Sequence, residues 1–575
     1  MTHKFIPPHL RQYIVDQEYE KYSAVDHAVW RFIMRISIDF FKDYAHKSYL
    51  EGLEKTGISI DKIPLIDDID YKLSKFGWGA VCVRGFIPPA AFMELQSLGI
   101  LPIASDMRTL SHLTYTPAPD IVHEAAGHAP ILADQKYADY LRKYGEVANK
   151  AISSNKDNEV YYAIRYLSDI KENPNSKSKE IIDAEEKLNN AISNIEYLSE
   201  AALLARMNWW TVEYGLIGDI DNYKIYGAGL LSSVGESQSC LKKSISKIPF
   251  SLDCINQNYN ITEPQPQLFV ADNFDSLSDA LDEIKSKMAF TVGGSFGLGK
   301  ALESKTVCSV LLNSNMQISG ILSRYIECNN SEPCYLQFDG PVQLCRYNHQ
   351  IDNHGGSYHK DGYGTAIGKV VGYNKSIYDF NDDDIQKLNL IKNEDISISF
   401  ESGITINGMI TNIMQKNGRI LLVSFSKCLV KYGNEILFDP SWGVYDMVCG
   451  ESVDSVYGGP ADFEEYSAFM PEYSVKAINN TSTTTNNSAS EDSLHNLYGQ
   501  VNSMLEKKYF DKESIDFILK KIKDDHPKDW LLKMNILEVA KNNNILIDGL
   551  FDEINSLADK TELGQVIKRG LNLLR

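Results

Sequence analysis

The chain has 575 residues, 43% of them hydrophobic, and a formal net charge of −20; this length predicts two or three domains, and the charge argues against nucleic acid and anionic membranes as partners. The sequence starts without a signal-peptide pattern, and no apolar run approaches the ~20 residues that a membrane span requires. Because the nine scattered cysteines include no C-x-x-C pair, we expect reduced thiols in a cytoplasmic protein.

Two histidines stand five residues apart in the segment 117–130, which otherwise has the composition of an apolar helix. They are His123 and His128, with Glu124 between them. Residues five apart point about 140° away from each other on an α-helix. One straight helical face cannot present both histidines to one ion, so we expect the helix to loosen or end near Gly127.

Residues 149–194 predict a helical hairpin. Apolar residues recur at helical spacing in 159–167 and in 181–192, and the polar segment 173–178 separates the two patterns. The sequence assigns no function to this hairpin.

A carboxylate follows in an apolar and aromatic run. Glu213 is the only charged residue in 207–216, and a carboxylate in such surroundings requires compensation, which a divalent cation would provide. Two histidines, one carboxylate and open coordination positions form the facial triad of non-haem Fe(II) oxygenases. Each of these residues alone would be an ordinary core residue, but together they predict a metal site formed by His123, His128 and Glu213.

Residues 291–473 predict a β-rich domain, either a sandwich or barrel-like. Short β-type runs such as 307–312, 396–400 and 420–425 alternate with turn signals, including Asn407-Gly408 and Asn417-Gly418.

Three histidines of this β-rich region, His349, His354 and His359, lie in one glycine-rich segment. We favour a glycine-rich loop with incidental histidines over a second metal site.

The last part of the chain predicts helices after a linker. Residues 474–492 include a polar low-complexity stretch, which is typical of a flexible linker. Residues 493–575 alternate apolar and charged residues at helical spacing, which indicates a small helical domain with a solvated face.

Three motifs in the first half of the chain resemble those of the tetrahydropterin-dependent aromatic amino acid hydroxylases, and they occur in the family's order. They are residues 115–128, 209–216 and 226–236, and the similarity extends from about Tyr22 to Met288. The resemblance implies a multi-domain α+β protein, with a mainly helical catalytic domain at 1–290 that carries an insertion at 149–194. It also implies Fe(II) held by the same two histidines and Glu213. From the change of composition near Met288 we expect residues 1 to about 290 to fold alone and to hydroxylate.

The resemblance further implies the residues of the amino-acid site. Arg108 would hold the substrate carboxylate, Asp120 would orient this arginine, and Trp209 would pack against the substrate ring. The remaining pocket residues would be Thr116, Pro117, Pro119, Gly229 and Ser232.

The pterin would lie near Gly85 and Ile87 and stack on Phe92, with Glu124 close to both cofactor and iron. A planar guanidinium suits a carboxylate, and an aromatic face suits a flat conjugated ring. The sequence departs from the family's usual residues at Pro89, Pro102 and Asn208; these departures concern the pterin side and the surroundings of the iron.

The resemblance implies a monooxygenase that uses O2 and a tetrahydropterin, such as tetrahydrobiopterin, to hydroxylate the ring of a free aromatic amino acid, phenylalanine to tyrosine first. Ile261 occupies the position at which tyrosine hydroxylases carry an acid, so tyrosine should be a poor substrate. The alternatives are a tryptophan hydroxylase, a zinc metallohydrolase with Glu124 as general base, and a catalytically silent binding protein. The sequence leaves the oligomeric state open.

Overall fold

The computed structural model describes residues 4–114, 118–172, 176–260, 264–328, 331–470 and 489–575. Within them the chain combines helices and sheets: a mainly helical N-terminal part, a strand-rich middle part and a C-terminal group of helices. The α-helices up to residue 304 are α1 (Ala24–Tyr44), α2 (Lys47–Lys55), α3 (Ile66–Leu73), α4 (Pro89–Ser97), α5 (Ala129–Ile131), α6 (Gln135–Ala148), α7 (Asn155–Glu172), α8 (Ser178–Ser193), α9 (Glu200–Asn208), α10 (Ala228–Leu231), α11 (Glu236–Ser239), α12 (Phe274–Ser286), α13 (Ala289–Val292) and α14 (Gly294–Ser304).

Helix α1 is a central element of the N-terminal part. Ser23 caps its first turn, because its Oγ accepts a hydrogen bond from the backbone N–H of Asp26 and its own N–H donates to the Asp26 carboxylate. Residues 28–34 are buried without interruption. A helix buried all round must be covered on several sides, so α1 needs more than one packing partner.

Two small sheets hold the segments that form the site. The parallel pair β1–β2 precedes the loops that contain Gly85 and Arg108. The other sheet has the order β4-β3-β6-β5, and its strand β3 begins shortly after Glu213. The strands are β1 (Gly79–Val83), β2 (Ile100–Ala104), β3 (Leu216–Asp219), β4 (Asn222–Ile225), β5 (Ser246–Pro249) and β6 (Gln267–Ala271).

Helices α7 and α8 occupy the region in which the sequence predicts a helical hairpin. They pack on each other through a small apolar cluster of their own, separate from the main core. The buried members of this cluster are Ala163, Leu167, Ala184, Leu188 and Ala191.

The strand-rich part contains two sheets. The first has the order β10-β9-β8-β7-β17, with β11 also on β9; the second has the order β12-β13-β14-β15, with β16 also on β14. Two apolar clusters combine buried residues from both sheets. The elements are β7 (Val307–Leu312), β8 (Met316–Glu327), β9 (Pro333–Arg346), β10 (His349–Gln350), β11 (Tyr363–Ala366), α15 (Asp382–Leu388), β12 (Asp395–Ser399), β13 (Ile404–Lys416), β14 (Arg419–Tyr432), β15 (Glu435–Phe438), β16 (Tyr445–Val448), β17 (Val453–Gly458) and α16 (Phe463–Tyr466).

The two Asn-Gly turn signals have different outcomes. Asn417 and Gly418 both have positive φ values, 53° and 73°, as a two-residue turn between antiparallel strands requires, and they connect β13 to β14. Asn407-Gly408 is not a turn, and that prediction was wrong. It lies inside β13, where the pairing with β14 shifts register in a β-bulge.

The C-terminal helices do not have a core of their own. Their buried residues belong to the same apolar cluster as α1 and the rest of the N-terminal part. Phe32 of α1 meets Trp530 edge to face, with ring centroids 5.0 Å apart. A Cβ on Gly570 would lie 2.4 Å from the Phe32 ring. The helices are α17 (Ala489–Lys507), α18 (Lys512–Asp525), α19 (Trp530–Asn542), α20 (Leu550–Ala558) and α21 (Gly564–Leu573).

Polar contacts also hold α1 to these helices. The buried Arg31 donates to the Asn502 side chain at 2.6 Å, and Arg35 forms an ion pair with Glu538. The N-terminal part therefore depends on residues near the other end of the chain, which argues against the expectation that it folds alone. The predicted linker lies mostly outside the described residues, which resume at 489.

Among the described residues, no helix has both the length and the apolar character needed to cross a membrane.

Candidate active site

The two histidines share one helical face because the backbone between them is a π-helix. The π-helix spans Val122–His128, and its hydrogen bonds join residues five apart, as between the N–H of Ala129 and the carbonyl of Glu124. The side chains of His123 and His128 therefore point the same way, and their Nε2 atoms are 3.1 Å apart. The predicted loosening of the helix near Gly127 is confirmed as a π-helix, whereas the alternative, a helix end at this point, was wrong because the helix continues into α5.

A second π-helix, Trp209–Glu213, presents the carboxylate. Glu213 lies at its end, with one carboxylate oxygen 3.4 Å from His123 Nε2 and the other 3.3 Å from His128 Nε2. The three residues offer ligand atoms that all lie within 4.8 Å of one another. The structure thus brings together the three predicted metal ligands.

Close packing of α10 against both π-helices holds this geometry. A Cβ on Gly127 would lie 2.8 Å from the carbonyl oxygen of Ala228, and a Cβ on Gly229 would lie 3.0 Å from that of Glu213. At 2.8 Å a Cβ requires the backbone to shift, and at 3.0 Å the neighbouring atom would have to give way. Gly127 and Gly229 therefore allow the close approach of α10 to the segments that carry the metal ligands.

The ligands carry strongly shifted pKa values. Burial lowers the pKa of His123 to about 4. Burial also lowers that of His128, but the Glu213 charge outweighs it and raises the value to about 9. Burial disfavours the Glu213 carboxylate, yet His128 and His123 bring its pKa to about 2. Such a compact group of coupled ionisable side chains marks a functional site.

Glu124 is the fourth ionisable group of the cluster. Burial raises its pKa to about 8, and one of its carboxyl oxygens lies 3.9 Å from His128 Nε2. This oxygen is buried and has no hydrogen-bond partner in the part of the chain that the structure describes. It is thus placed to meet a group bound beside the metal.

Arg108 and Asp120 form a buried pair next to the ligands. Arg108 donates from Nε and Nη2 to the two Asp120 oxygens, at 2.7 and 2.8 Å, and from Nη1 to the carbonyl of Ser232 at 3.0 Å. Asp120 also accepts the backbone N–H of His123 at 2.9 Å, and Ser232 Oγ lies 3.0 Å from His123 Nδ1. Ser232 and Asp120 therefore link the arginine to a metal ligand, and the sequence did not predict this link.

The family of biopterin-dependent aromatic amino acid hydroxylases matches residues 12–177 and 196–296. The phenylalanine-4-hydroxylase of Mesorhizobium japonicum is 30% identical over 272 residues, which are 47% of this chain and 82% of the relative. The phenylalanine-4-hydroxylase of Chromobacterium violaceum is 31% identical over 271 residues, which are 47% of this chain and 76% of the relative. The chain belongs to the biopterin-dependent aromatic amino acid hydroxylases.

Among solved structures, phenylalanine hydroxylase from C. violaceum with bound iron(III) and 7,8-dihydrobiopterin matches with a TM-score of 0.38 and 27% identity, covering 49% of this chain and 92% of that one. In the present chain, the match to the family is interrupted at 178–195, a segment that contains α8, and it ends at 296. The strand-rich part after α14 thus lies outside the match.

The donor set fits the iron of this family. Two imidazole nitrogens and one carboxylate, held on one side of a common point, form the facial arrangement of non-haem Fe(II) sites and leave the other side open. The imidazole of His123 is fixed by Ser232 at its second nitrogen, as metal-binding histidines usually are.

Trp209 is less available to a substrate ring than predicted. Its indole is stacked on Tyr214 at 4.7 Å and on Tyr259 at 4.4 Å between ring centroids. Two stacked rings leave less of the indole free for a substrate ring, and the packing of Trp209 against that ring stays a prediction. The sequence signal for this stack is the recurrence of tyrosines near the tryptophan, at 214 and 259.

The predicted pterin residues lie together between β1 and α4. Gly85 has a positive φ of 57°, and its N–H donates to Asp106 at 3.1 Å. Ile87 is buried and Phe92 half-buried in one small apolar cluster. The cluster offers an apolar surface, which suits a flat ring.

Of the other residues predicted for the amino-acid pocket, some lie within the described residues and some do not. Gly229 packs against Glu213, as described above, and Pro119 is half-buried beside Asp120. Thr116, Pro117 and Ile261 lie outside the described residues.

Proposed function

We propose that this chain is a phenylalanine 4-hydroxylase that uses Fe(II), a tetrahydropterin and O2 to convert free phenylalanine to tyrosine. The observation that carries the proposal is the convergence of His123, His128 and Glu213 from two π-helices. The two relatives reported above are phenylalanine-4-hydroxylases, which supports the choice of substrate. When bound, iron and reduced pterin supply the activation of O2.

His123, His128 and Glu213 would hold the iron from one side, which leaves the opposite side for oxygen and substrate. Ser232 fixes the orientation of His123 through Nδ1. Glu124 presents a buried carboxyl oxygen to the same space, where a polar group of the pterin would complete its hydrogen bonding.

Arg108 would bind the substrate carboxylate. Its guanidinium has five N–H groups, and its bonds to Asp120 and Ser232 within the described residues use three of them. Two N–H groups are left to meet a carboxylate. Asp120 is a positioning residue, because its two oxygens fix the plane of the guanidinium.

The pterin would lie on the apolar cluster that contains Ile87 and Phe92, with Phe92 beneath the ring. Gly85 supports this role through its positive φ, which gives the loop a tight turn at the edge of the site. The preferred natural pterin is expected to be tetrahydrobiopterin.

We also propose the division of the chain into a catalytic unit at 1–290 with an insertion at 149–194, a β-rich unit at 291–473, a linker at 474–492 and a helical unit at 493–575 that shares the apolar core of the catalytic unit. The cytoplasm is the proposed location, because the nine cysteines are present as thiols.

Oxygen uptake by the purified full chain with Fe(II), tetrahydrobiopterin and phenylalanine tests the proposed reaction. Tyrosine should form as O2 is consumed. Iron-loaded protein that forms no tyrosine would contradict the proposal and favour a binding protein. A zinc metallohydrolase would consume no O2 under these conditions.

Competition among the three aromatic amino acids tests the substrate order. We expect kcat/KM to be highest for phenylalanine, lower for tryptophan and lowest for tyrosine, because Ile261 offers no polar partner to a phenolic hydroxyl, at a cost of about 1–3 kcal/mol. Trp209→Phe should raise relative activity on tryptophan. Preference of the unsubstituted chain for tryptophan would favour the alternative, a tryptophan hydroxylase.

A further inference from the structure

A second group of two histidines and a carboxylate lies in the strand-rich part, outside the residues that match the hydroxylase family. His354 and His359 belong to the glycine-rich loop between β10 and β11, and Asp446 lies on β16 of the other sheet. Their ligand atoms all lie within 4.8 Å of one another, and all three residues are buried. The sequence favours incidental histidines in this loop, but His354 and His359 converge with Asp446, whereas His349 is exposed and lies outside the group.

Backbone hydrogen bonds hold both histidines in place. The carbonyl of His354 accepts the N–H of Leu344 at 2.9 Å, and the carbonyl of His359 accepts that of Val342 at 3.1 Å. Both donors belong to β9. The His359 N–H donates to the carbonyl of Gly355 at 3.1 Å, which turns the loop back on itself. The loop is therefore fixed to β9 at both histidines, so their geometry is preorganised.

The two imidazoles face each other with nitrogen atoms in close proximity. His354 Nδ1 lies 3.2 Å from His359 Nε2. Each ring can therefore turn one of these nitrogens toward a shared ion. Neutral imidazole is the form that binds metal ions.

Asp446 completes the group with an unsatisfied oxygen. Ser424 Oγ donates to Asp446 Oδ1 at 2.5 Å. Its Oδ2 is buried without a hydrogen-bond partner among the described residues. Asp446 is 4% exposed, and a buried carboxylate requires a compensating positive charge. In the described ranges no lysine or arginine forms an ion pair with Asp446. The groups that face it are the two histidines and the hydroxyls of Ser424 and Tyr358.

We propose that His354, His359 and Asp446 bind one divalent transition-metal ion, Zn²⁺ first, as a structural site. Two imidazoles and one carboxylate suit this class of ion. The ion would neutralise Asp446 and connect the loop on the first sheet to β16 on the second. Tyr358 lies over the outer side of the group, with its ring 5.4 Å from that of His354 and 4.7 Å from that of His359. This cover and the burial of all three ligands indicate a site closed to bulk solvent, in which an enclosed water molecule would supply the fourth ligand of the ion.

Zinc binding must be measured in a chain whose site at His123, His128 and Glu213 has been disabled, because that site can also bind zinc. The test uses the full chain with His123→Ala and His128→Ala, freed of metal by a chelator and then titrated with ZnCl2 by calorimetry. We expect about one equivalent of zinc per chain. Adding His359→Ala or Asp446→Asn should weaken binding about 100-fold or more. Adding His349→Ala instead should leave binding unchanged, because this histidine shares the loop but not the group.

Absence of zinc binding by the chain with His354, His359 and Asp446 intact would overturn the proposal, as would equal binding by the Asp446→Asn and His349→Ala variants. If the ligand variants fail to fold, X-ray absorption is measured on the zinc-loaded chain that carries His123→Ala and His128→Ala and retains His354, His359 and Asp446. Two imidazole ligands in the zinc shell support the site, and a shell without imidazole rejects it.

Discussion

The two halves of this chain each contain a pair of histidines five residues apart and a distant carboxylate, but different backbones bring them together. At His123 and His128 a π-helix places both side chains on one face. At His354 and His359 a glycine-rich loop does so through its bonds to β9. The same spacing therefore produces a shared site only when the surrounding structure provides a suitable backbone.

The two groups also differ in access. In the first, His123 and Glu213 are half-buried and only His128 is buried; in the second, all three residues are buried. Catalytic metal sites keep an open coordination position, whereas structural sites are closed. The difference indicates that the first group is built for turnover and the second for holding two sheets together.

Removing the carboxylate of each group in turn tests whether the two groups act independently, and it has the largest expected effect. Glu213→Ala should lower hydroxylation by about 1000-fold or more and remove iron from the first site, because two histidines cannot retain a labile ion. Asp446→Asn should lower second-site zinc but leave hydroxylation within about twofold. Metal analysis and tyrosine formation measure both effects. Loss of activity in both variants to the same extent would show that the sites are not independent.

Each of the two parts also contains an arginine in a bidentate pair with a carboxylate, buried in the first part and exposed in the second. Arg108→Lys should raise KM for phenylalanine and lower kcat/KM about 100-fold, roughly 2.7 kcal/mol, because lysine cannot form the planar pair with Asp120. The matched control is Arg324→Lys, since Arg324 forms an exposed bidentate pair with Glu435 in the strand-rich part. This control should leave kcat/KM unchanged. If both substitutions changed kcat/KM equally in steady-state kinetics, the role of Arg108 in binding the substrate would be contradicted.

Zinc should stabilise the strand-rich part of the chain that carries His123→Ala and His128→Ala, in which the first site takes up no zinc. At free zinc about 100 times its Kd, the gain is about 2.7 kcal/mol, or a rise in Tm of about 5–10 °C for a unit of this size. Differential scanning calorimetry with zinc and with a chelator measures the shift. In a chain that carries His354→Ala and His359→Ala the shift should disappear. Its persistence there would place the stabilising zinc elsewhere.

The smallest effect concerns the helices that cover α1. Gly570→Val should lower the free energy of unfolding by about 1–3 kcal/mol, because the added side chain meets the Phe32 ring. The loss should appear in the transition that releases iron and not in that of the strand-rich part. The control is Gly499→Ala, where the new Cβ meets open space and the helix should be unchanged or slightly more stable. Similar losses for both variants in thermal unfolding would contradict the tight contact at Gly570.

Several features of the fold could be predicted from the sequence because their signals are local. The strand 307–312 follows from a short apolar run, and the turn at Asn417-Gly418 follows from the φ values that asparagine and glycine tolerate. The failure at Asn407-Gly408 shows the limit of such signals. A β-bulge uses the same residue types as a turn, and the pairing partner decides between them.

The ligands of the first site could be identified from the sequence alone. His123, His128 and Glu213 stand in recognisable motifs, and their chemistry already specifies a metal. The tertiary structure decided how they meet, because the π-helix depends on the packing of α10 at Gly127. For the second group, Asp446 has no local signal and becomes a partner of the histidines only where the two sheets meet. The C-terminal helices were likewise visible as amphipathic patterns, but such a pattern specifies an apolar face and not the surface that covers it.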